Sequence, residues 1–236
     1  KGDMTVQHAF AHSVNTVAVQ VSEQIGRQNV INMARRLGVK SNLPNFPSLA
    51  LGAADITLLE MTQAFSHIAN DGVRTKAFGV TMITDANDNV LYEYHGIPQE
   101  QLLSPDVVSK MRGMMATVVE SGTGRNAALP GKNAYGKTGT SQDFKDAWFI
   151  GFTDELVAGF WVGNDDNQPM KKVVGGTLPA KMWKEFMTTV GFVKPTEFSQ
   201  DDSLSGVNLF DFIFSKTPSE LAEISEPEAD AGIIED

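Results

Sequence analysis

The protein has 236 residues, of which 42% are hydrophobic and 20% are charged, which is typical of an ordinary globular chain. It contains no cysteine, which excludes disulfides, thiolate metal sites and cysteine nucleophiles. The formal net charge of −10 argues against nucleic acid as a partner, because phosphates attract surfaces rich in Lys and Arg. No apolar run approaches the roughly 20 residues that a membrane-spanning helix needs.

The first pattern along the chain is helical. The chain begins at Lys1 inside what reads as a helix, so we expect it to be a piece of a longer protein. Apolar residues recur at helical spacing after Ser13 and stop at Gly26. The spacing predicts a helix that Ser13 caps, and a second helix from Arg27 to Leu37.

Two further helices carry their own start signals. Thr57 and Glu60 form a capping-box pattern, which predicts a helix ending near Asn70. Ser104 and the proline after it predict the start of another helix, which continues to Glu120 with an apolar face that we expect to be core.

Two sets of polar residues are tested as metal sites and set aside. Residues 85–96 begin like a calcium loop, but Val90 and Gly96 replace the Gly and Glu that such a loop needs. We expect instead a β-hairpin over residues 79–94. His8 and His12 lie one helical turn apart, but no third ligand is nearby, so we predict packing rather than zinc.

The second half of the chain changes to short β-rich segments. Strands are predicted over residues 135–140, 147–152 and 156–162, followed by a last helix near Pro179. Helices thus precede three successive antiparallel strands, and one helix follows them. We expect one domain over residues 1–193 and an acidic, disordered tail over residues 194–236. In that tail, a docking motif or an edge strand is the alternative for Phe210, Phe212 and Phe214.

Residues 131–138 match the G-x-x-x-x-G-K-T pattern of nucleotide-binding loops. That loop needs a buried strand before it and a helix after it, so that backbone N–H groups point at phosphates. Here "RNAALP" precedes the pattern and Gly139 begins a β-rich stretch after it. The context therefore disfavours a nucleotide site.

Lys137 is predicted to lie on a strand. Side chains alternate along a strand, so Lys137 and Gly139 share one face while Thr138 and Thr140 share the other. A substrate backbone could lie along this strand with its carboxylate near Lys137. The alternative is an edge strand with a solvated lysine.

Lys137, Thr138 and Gly139 resemble the K-T-G motif of penicillin-binding proteins and serine β-lactamases. Ser13-Val14-Asn15 matches the S-x-N motif of the same family in the same order, whereas without this context Ser13 would read as a helix cap and Asn15 as a surface residue. "SGTGRNAA", "WVGNDDNQPM" and "GGTLPAKMWKEFM" extend the resemblance to the class A, bifunctional penicillin-binding proteins, from about residue 3 to 187.

One motif of that family is missing. No serine in this chain has a lysine three residues later, so the S-x-x-K motif with the nucleophile is absent. The resemblance implies the C-terminal part of a transpeptidase domain, with the nucleophile upstream of residue 1. The alternative is a catalytically inactive relative.

The resemblance implies a serine-type D-Ala-D-Ala transpeptidase that cross-links peptidoglycan stem peptides and is acylated by β-lactams, without a cofactor. It implies that Ser13 relays a proton, Asn15 orients the substrate amide and Lys137 attracts the terminal carboxylate. Thr138, Gly139 and Thr140 would bind substrate, and the N–H of Thr140 would serve an oxyanion hole.

The resemblance also implies a place and partners. It implies an α+β fold, in which helices flank an antiparallel sheet beside an all-helical lobe, and which is incomplete in this chain. The expected location is the periplasmic face of a bacterial inner membrane. A membrane anchor is expected only in the parent protein, as is the rest of the domain. A non-catalytic β-lactam-binding sensor or cell-wall assembly scaffold is the alternative function, and a hydrolytic β-lactamase is disfavoured because nothing resembles its deacylating Glu loop.

Overall fold

The computed structural model describes residues 2–190. It has an α+β fold with six α-helices and five strands in this range. The helices are α1 Val6–Ala11, α2 Asn15–Ile25, α3 Arg27–Arg36, α4 Leu58–Ala69, α5 Pro105–Glu120 and α6 Leu178–Val190. The strands are β1 Met82–Thr84, β2 Val90–Glu93, β3 Tyr135–Thr140, β4 Asp146–Phe152 and β5 Val157–Gly163. The predicted tail, 194–236, lies outside the described residues.

The N-terminal helices differ from the prediction in two details. The first helix begins only after Thr5, whose side chain accepts a hydrogen bond from the His8 N–H. Val14, not Ser13, is the N-cap of α2, because Ser13 belongs to the tight connection between α1 and α2. In the apolar stripe of α2, Val17 and Val21 are half-buried, whereas Ala18 is exposed and Ile25 is 54% exposed.

The capping box at the start of α4 is confirmed. Thr57 accepts from the Glu60 N–H, and the Glu60 carboxylate accepts from the Thr57 N–H. The same carboxylate accepts hydrogen bonds from the backbone N–H groups of Lys40 and Ser41 and from the Ser41 hydroxyl. These bonds hold the pKa of Glu60 at about 2 and attach the loop after α3 to the start of α4.

The predicted hairpin is also confirmed, and its turn explains the calcium-like pattern. The strands β1 and β2 pair in antiparallel fashion. The Asp85 carboxylate accepts hydrogen bonds from the N–H groups of Asn87 and Asn89, so it closes the turn of the hairpin. Both strands are exposed along their length.

The central sheet has the order β3–β4–β5, and all its pairs are antiparallel. Helices cover both of its faces. On one face Phe149 packs against Trp183 of α6, and both side chains are fully buried. On the other face Phe152 lies in a cluster with Ile68 of α4 and Met115 of α5. The described residues contribute three strands to this sheet.

The helical lobe has a smaller core of its own. Val39, Leu43 and Ala64 are buried there, and apolar residues of α3 and of the segment before α4 pack around them. In the range 2–190 no helix is both long and apolar enough to cross a bilayer.

We expect the substitution Glu60→Gln to lower the free energy of unfolding by about 1–2 kcal/mol at neutral pH, because the loop and cap amides lose a charged acceptor that is partly screened by solvent. The pKa of Glu60 is depressed in the folded state, so its contribution is complete above about pH 4.5 and is lost as pH falls towards 2. Thermal unfolding over this pH range would measure it. Glu93→Gln on the exposed hairpin is the control, and equal stability of both variants would contradict the assignment.

Candidate active site

The strand β3 places Lys137 at the free edge of the sheet. β3 pairs only with β4 among the described strands, and its register with β4 is regular from Tyr135 to Thr140. The K-T-G residues therefore lie on a strand, as predicted, and only the short 3-10 helix Gln142–Phe144 comes after them, which differs from the long helix that follows a nucleotide loop.

Ser13 reaches Lys137 from the helical lobe. Its backbone is left-handed, with φ of 51°, because the chain turns between α1 and α2 within three residues. Such a conformation is uncommon for a non-glycine residue and often occurs at functional sites. The turn is held by the Ser13 N–H, which donates to the Phe10 carbonyl, and by the Val14 N–H, which donates to Ala9. The Lys137 ammonium donates a short hydrogen bond to the Ser13 hydroxyl.

Burial of the Lys137 side chain disfavours its positive charge, although a carbonyl oxygen and an aromatic ring lie near the ammonium. Its Nζ lies 3.0 Å from the Thr138 carbonyl oxygen and 5.6 Å from the centre of the Phe10 ring. Desolvation lowers the pKa of Lys137 from 10.5 to about 8. The pKa of the amine is therefore close enough to neutral pH for the group both to donate and to accept a proton.

The contact lies at the wall of a cavity of about 780 Å³. Residues 137–141 of β3 and the loop after it form one side, and residues 51–58 before α4 form the opposite side. Trp148 and Trp161 also line the cavity, and the Trp161 Nε1–H donates to Asp146 at 2.9 Å. The strand that carries Lys137 therefore borders a groove with an apolar floor and a polar edge.

The residues after Lys137 occupy both sides of β3, as predicted. The hydroxyl of Thr138 lies 2.6 Å from that of Thr123. The Thr140 Oγ1 accepts a hydrogen bond of 3.0 Å from the Gly175 N–H. A Cβ added at Gly139 would lie 3.3 Å from the Trp148 Cβ, so the strand has little room there for a side chain.

Asn15 is the one predicted site residue that the structure does not bring to Lys137. It is the first residue of α2 and is exposed. Within residues 2–190, the hydrogen bonds of Lys137 go to Ser13 and Thr138. Asn15 thus lies next to the site along the chain, and its predicted role has no contact to support it.

Several residues of the site were not assigned by sequence reasoning. Phe10 faces the Lys137 ammonium, and Thr123 and Gly175 bond to threonines of β3. Thr123 and Gly175 lie in segments that carry the family resemblance, "SGTGRNAA" and "GGTLPAKMWKEFM". Only the fold shows that these two residues contact the threonines of β3.

The histidines that were considered as zinc ligands stack on each other. The ring centres of His8 and His12 lie 4.2 Å apart, and His12 Nδ1 bonds to the His8 carbonyl. Among residues 2–190 no group of three or more His, Cys, Asp or Glu side chains could hold a metal ion.

Comparison with known proteins defines the class. Residues 1–188 match the model of the penicillin-binding protein transpeptidase domain, and the chain belongs to this family. It is 36% identical to penicillin-binding protein 1A of Aquifex aeolicus over 198 residues, which cover 83% of this chain and 27% of that protein. It is 31% identical to penicillin-binding protein 1A of Rickettsia prowazekii over 209 residues, with 79% and 27% covered. The chain thus spans about a quarter of the length of these curated relatives.

Solved structures share the fold. The crystal structure of penicillin-binding protein 1A from Haemophilus influenzae superposes with a TM-score of 0.74 at 25% identity, covering 83% of this chain and 35% of that one. PonA1 of Mycobacterium tuberculosis in complex with penicillin V has a TM-score of 0.73 at 23% identity, covering 80% and 57%. These matches confirm the predicted α+β fold of the penicillin-binding proteins and the resemblance to its class A members.

We expect the Lys137 side chain to titrate with a midpoint near pH 8, because burial disfavours its ammonium form. Since its pKa is lower in the folded than in the unfolded chain, the free energy of unfolding rises as pH increases from about 8 to 10.5. The chemical shift of its ¹³Cε nucleus, assigned by loss of the signal in Lys137→Met, would measure the titration. A midpoint at 10.5 would contradict the buried placement.

Proposed function

We propose that this chain forms one wall of the active site of a serine-type D-Ala-D-Ala transpeptidase. The contact between the Lys137 ammonium and the Ser13 hydroxyl at the edge of the groove carries the proposal. It supports the roles that the motifs imply, because a lysine of lowered pKa and a hydroxyl that both donates and accepts can move a proton between them.

The reaction is acyl transfer. A serine attacks the carbonyl carbon of the D-Ala-D-Ala bond, the bond to the leaving nitrogen breaks, and the leaving D-Ala takes a proton. The acyl group then passes from the serine to an amine of a second stem peptide. Ser13 relays the proton to the leaving nitrogen, and Lys137 favours this relay by its positive charge. The nucleophilic serine belongs to an S-x-x-K segment outside residues 1–236.

Carboxylate recognition falls to the K-T-G strand. The Lys137 ammonium attracts the terminal carboxylate of the stem peptide, and hydroxyls of Thr138 and Thr140 donate hydrogen bonds to it. Thr140 Oγ1 accepts from the Gly175 N–H, which leaves the hydroxyl hydrogen of Thr140 for the substrate.

The backbone of Thr140 supplies the oxyanion donor. The Ser141 N–H donates to the Asp146 carbonyl, so residues 141 and 146 form a hydrogen-bonded pair of the antiparallel ladder. The pattern alternates along the strand, and the N–H of Thr140 therefore points away from β4, towards the free edge. A donor at this place stabilises the negative charge that develops on the carbonyl oxygen, an effect of about 3 kcal/mol.

β-Lactams are proposed ligands of the same groove, because they carry a carboxylate beside a reactive amide. PonA1, which shares the fold, has been solved with penicillin V. The proposed substrate of the full-length protein is peptidoglycan, and the proposed location of the domain is the periplasmic face of the inner membrane. Asn15 is proposed to orient the substrate amide once substrate occupies the groove.

We expect Lys137→Ala to reduce acylation of the full-length protein by fluorescent penicillin at least about 100-fold, because the carboxylate loses its cation and the proton relay loses its partner. The second-order rate of labelling, followed on a denaturing gel, measures the effect. Lys76→Ala, at an exposed lysine outside the groove, is the control and should label like the wild type.

Mass spectrometry of the penicillin adduct tests the assignment of the nucleophile. We expect the adduct on a serine outside residues 1–236 that is followed three residues later by a lysine. An adduct on Ser13 or on another serine of this chain would contradict the proposal. Release of D-Ala from a stem-peptide substrate separates the transpeptidase from a sensor or scaffold, which would bind penicillin without this turnover.

A further inference from the structure

The loop after α5, residues 121–124, connects the end of α1 to the strand β3. Its residue Thr123 donates its backbone N–H to the Ala11 carbonyl at 3.0 Å, and Ala11 is the last residue of α1, two residues before Ser13. Its hydroxyl lies 2.6 Å from the Thr138 hydroxyl on β3. A single residue thus contacts both the segment that carries Ser13 and the strand that carries Lys137.

Close packing fixes this loop. A Cβ added at Gly122 would lie 2.3 Å from the Ala11 carbonyl oxygen, and one at Gly176 would lie 2.1 Å from the carbonyl oxygen of Thr123. These distances are too short for any side chain. Asn126 donates to the Gly176 carbonyl at 2.7 Å and attaches the same region to the segment before α6.

The hydrogen bond between the Thr123 and Thr138 hydroxyls can be formed in two directions. Thr123 and Thr138 each have one hydroxyl hydrogen, and their short contact uses one of them. When Thr123 donates to Thr138, the hydrogen of Thr138 remains free for an acceptor in the groove. When Thr138 donates to Thr123, the Thr123 hydroxyl turns to the Ala11 carbonyl, 3.4 Å away.

A carboxylate in the groove selects the first arrangement, because it only accepts hydrogen bonds. The Thr123 hydroxyl then supports the oxygen of Thr138 and directs its hydrogen to the ligand. Hydrogen bonds in such a chain strengthen one another. In the free protein the second arrangement satisfies both hydroxyls.

We propose that Thr123 is a positioning residue that directs the Thr138 hydroxyl to the substrate carboxylate. The inference rests on the proposed function, because it assigns Thr138 to carboxylate binding. Thr123 touches neither the reacting carbonyl nor the nucleophile.

The test is the second-order rate of penicillin acylation of the full-length protein. Thr123→Val keeps the shape of the side chain and removes the hydroxyl, and we expect a loss of about 10-fold, the size of one hydrogen bond. Thr123→Ser restores the hydroxyl and should return the rate to within about 3-fold of the wild type. Thr189→Val, which removes a hydroxyl that bonds within α6, is the matched control.

A penicillin methyl ester separates positioning from a general structural defect. The ester lacks the anionic carboxylate, so wild type and Thr123→Val should react with it at equal, low rates. In a Thr138→Val background, Thr123→Val should cause no further loss, because the hydroxyl that it supports is gone.

Each outcome is decisive. Equal rates of wild type and Thr123→Val with penicillin, while Lys137→Ala is inactive, would overturn the inference and leave the proposed function intact. An equal loss with penicillin and its ester would also overturn it, because the defect would then be structural. No acylation of the wild type by penicillin would overturn the proposed function and the inference together.

Discussion

The hydrogen bond between the Lys137 ammonium and the Ser13 hydroxyl joins a strand edge to a helical lobe, and the rest of the site depends on it. A lysine at a strand edge usually extends into water, where its charge is well solvated. Here the Phe10 ring and the groove walls surround the amine, and its pKa falls to about 8. Perturbed pKa values concentrate at functional sites, so the desolvation of this amine supports the proposed role of Lys137.

Close backbone packing supports the strand that carries Lys137. Gly175 lies so close to β3 and β4 that an added Cβ would be 2.2 Å from the Trp148 carbonyl oxygen, while its N–H bonds to Thr140. A Cβ added at Gly136 would likewise lie 2.5 Å from the Phe149 ring. Bare backbone thus replaces side chains behind the strand, so β3 is supported on one side and remains open to the groove on the other.

Most of the fold could be predicted because its signals are local. The capping box at Thr57, the Ser104 cap and the alternating strands each depend on neighbouring residues, and the structure confirms them within one or two residues. The prediction that Ser13 caps α2 was wrong, because a left-handed turn at Ser13 has no local sequence signal that distinguishes it from a helix cap. The roles of Thr123 and Phe10 depend on contacts between distant segments, which spacing alone cannot show. The K-T-G and S-x-N motifs were found because their order matches a family.

A double-mutant cycle on the full-length protein tests the central contact most directly. Ser13→Ala, Lys137→Met and the double variant would be compared in the second-order rate of penicillin acylation. If the two side chains act as one unit, the double variant is no slower than the slower single variant, and the coupling energy exceeds about 1 kcal/mol. Additive losses would contradict the account, because they would mean that Ser13 and Lys137 act independently of each other.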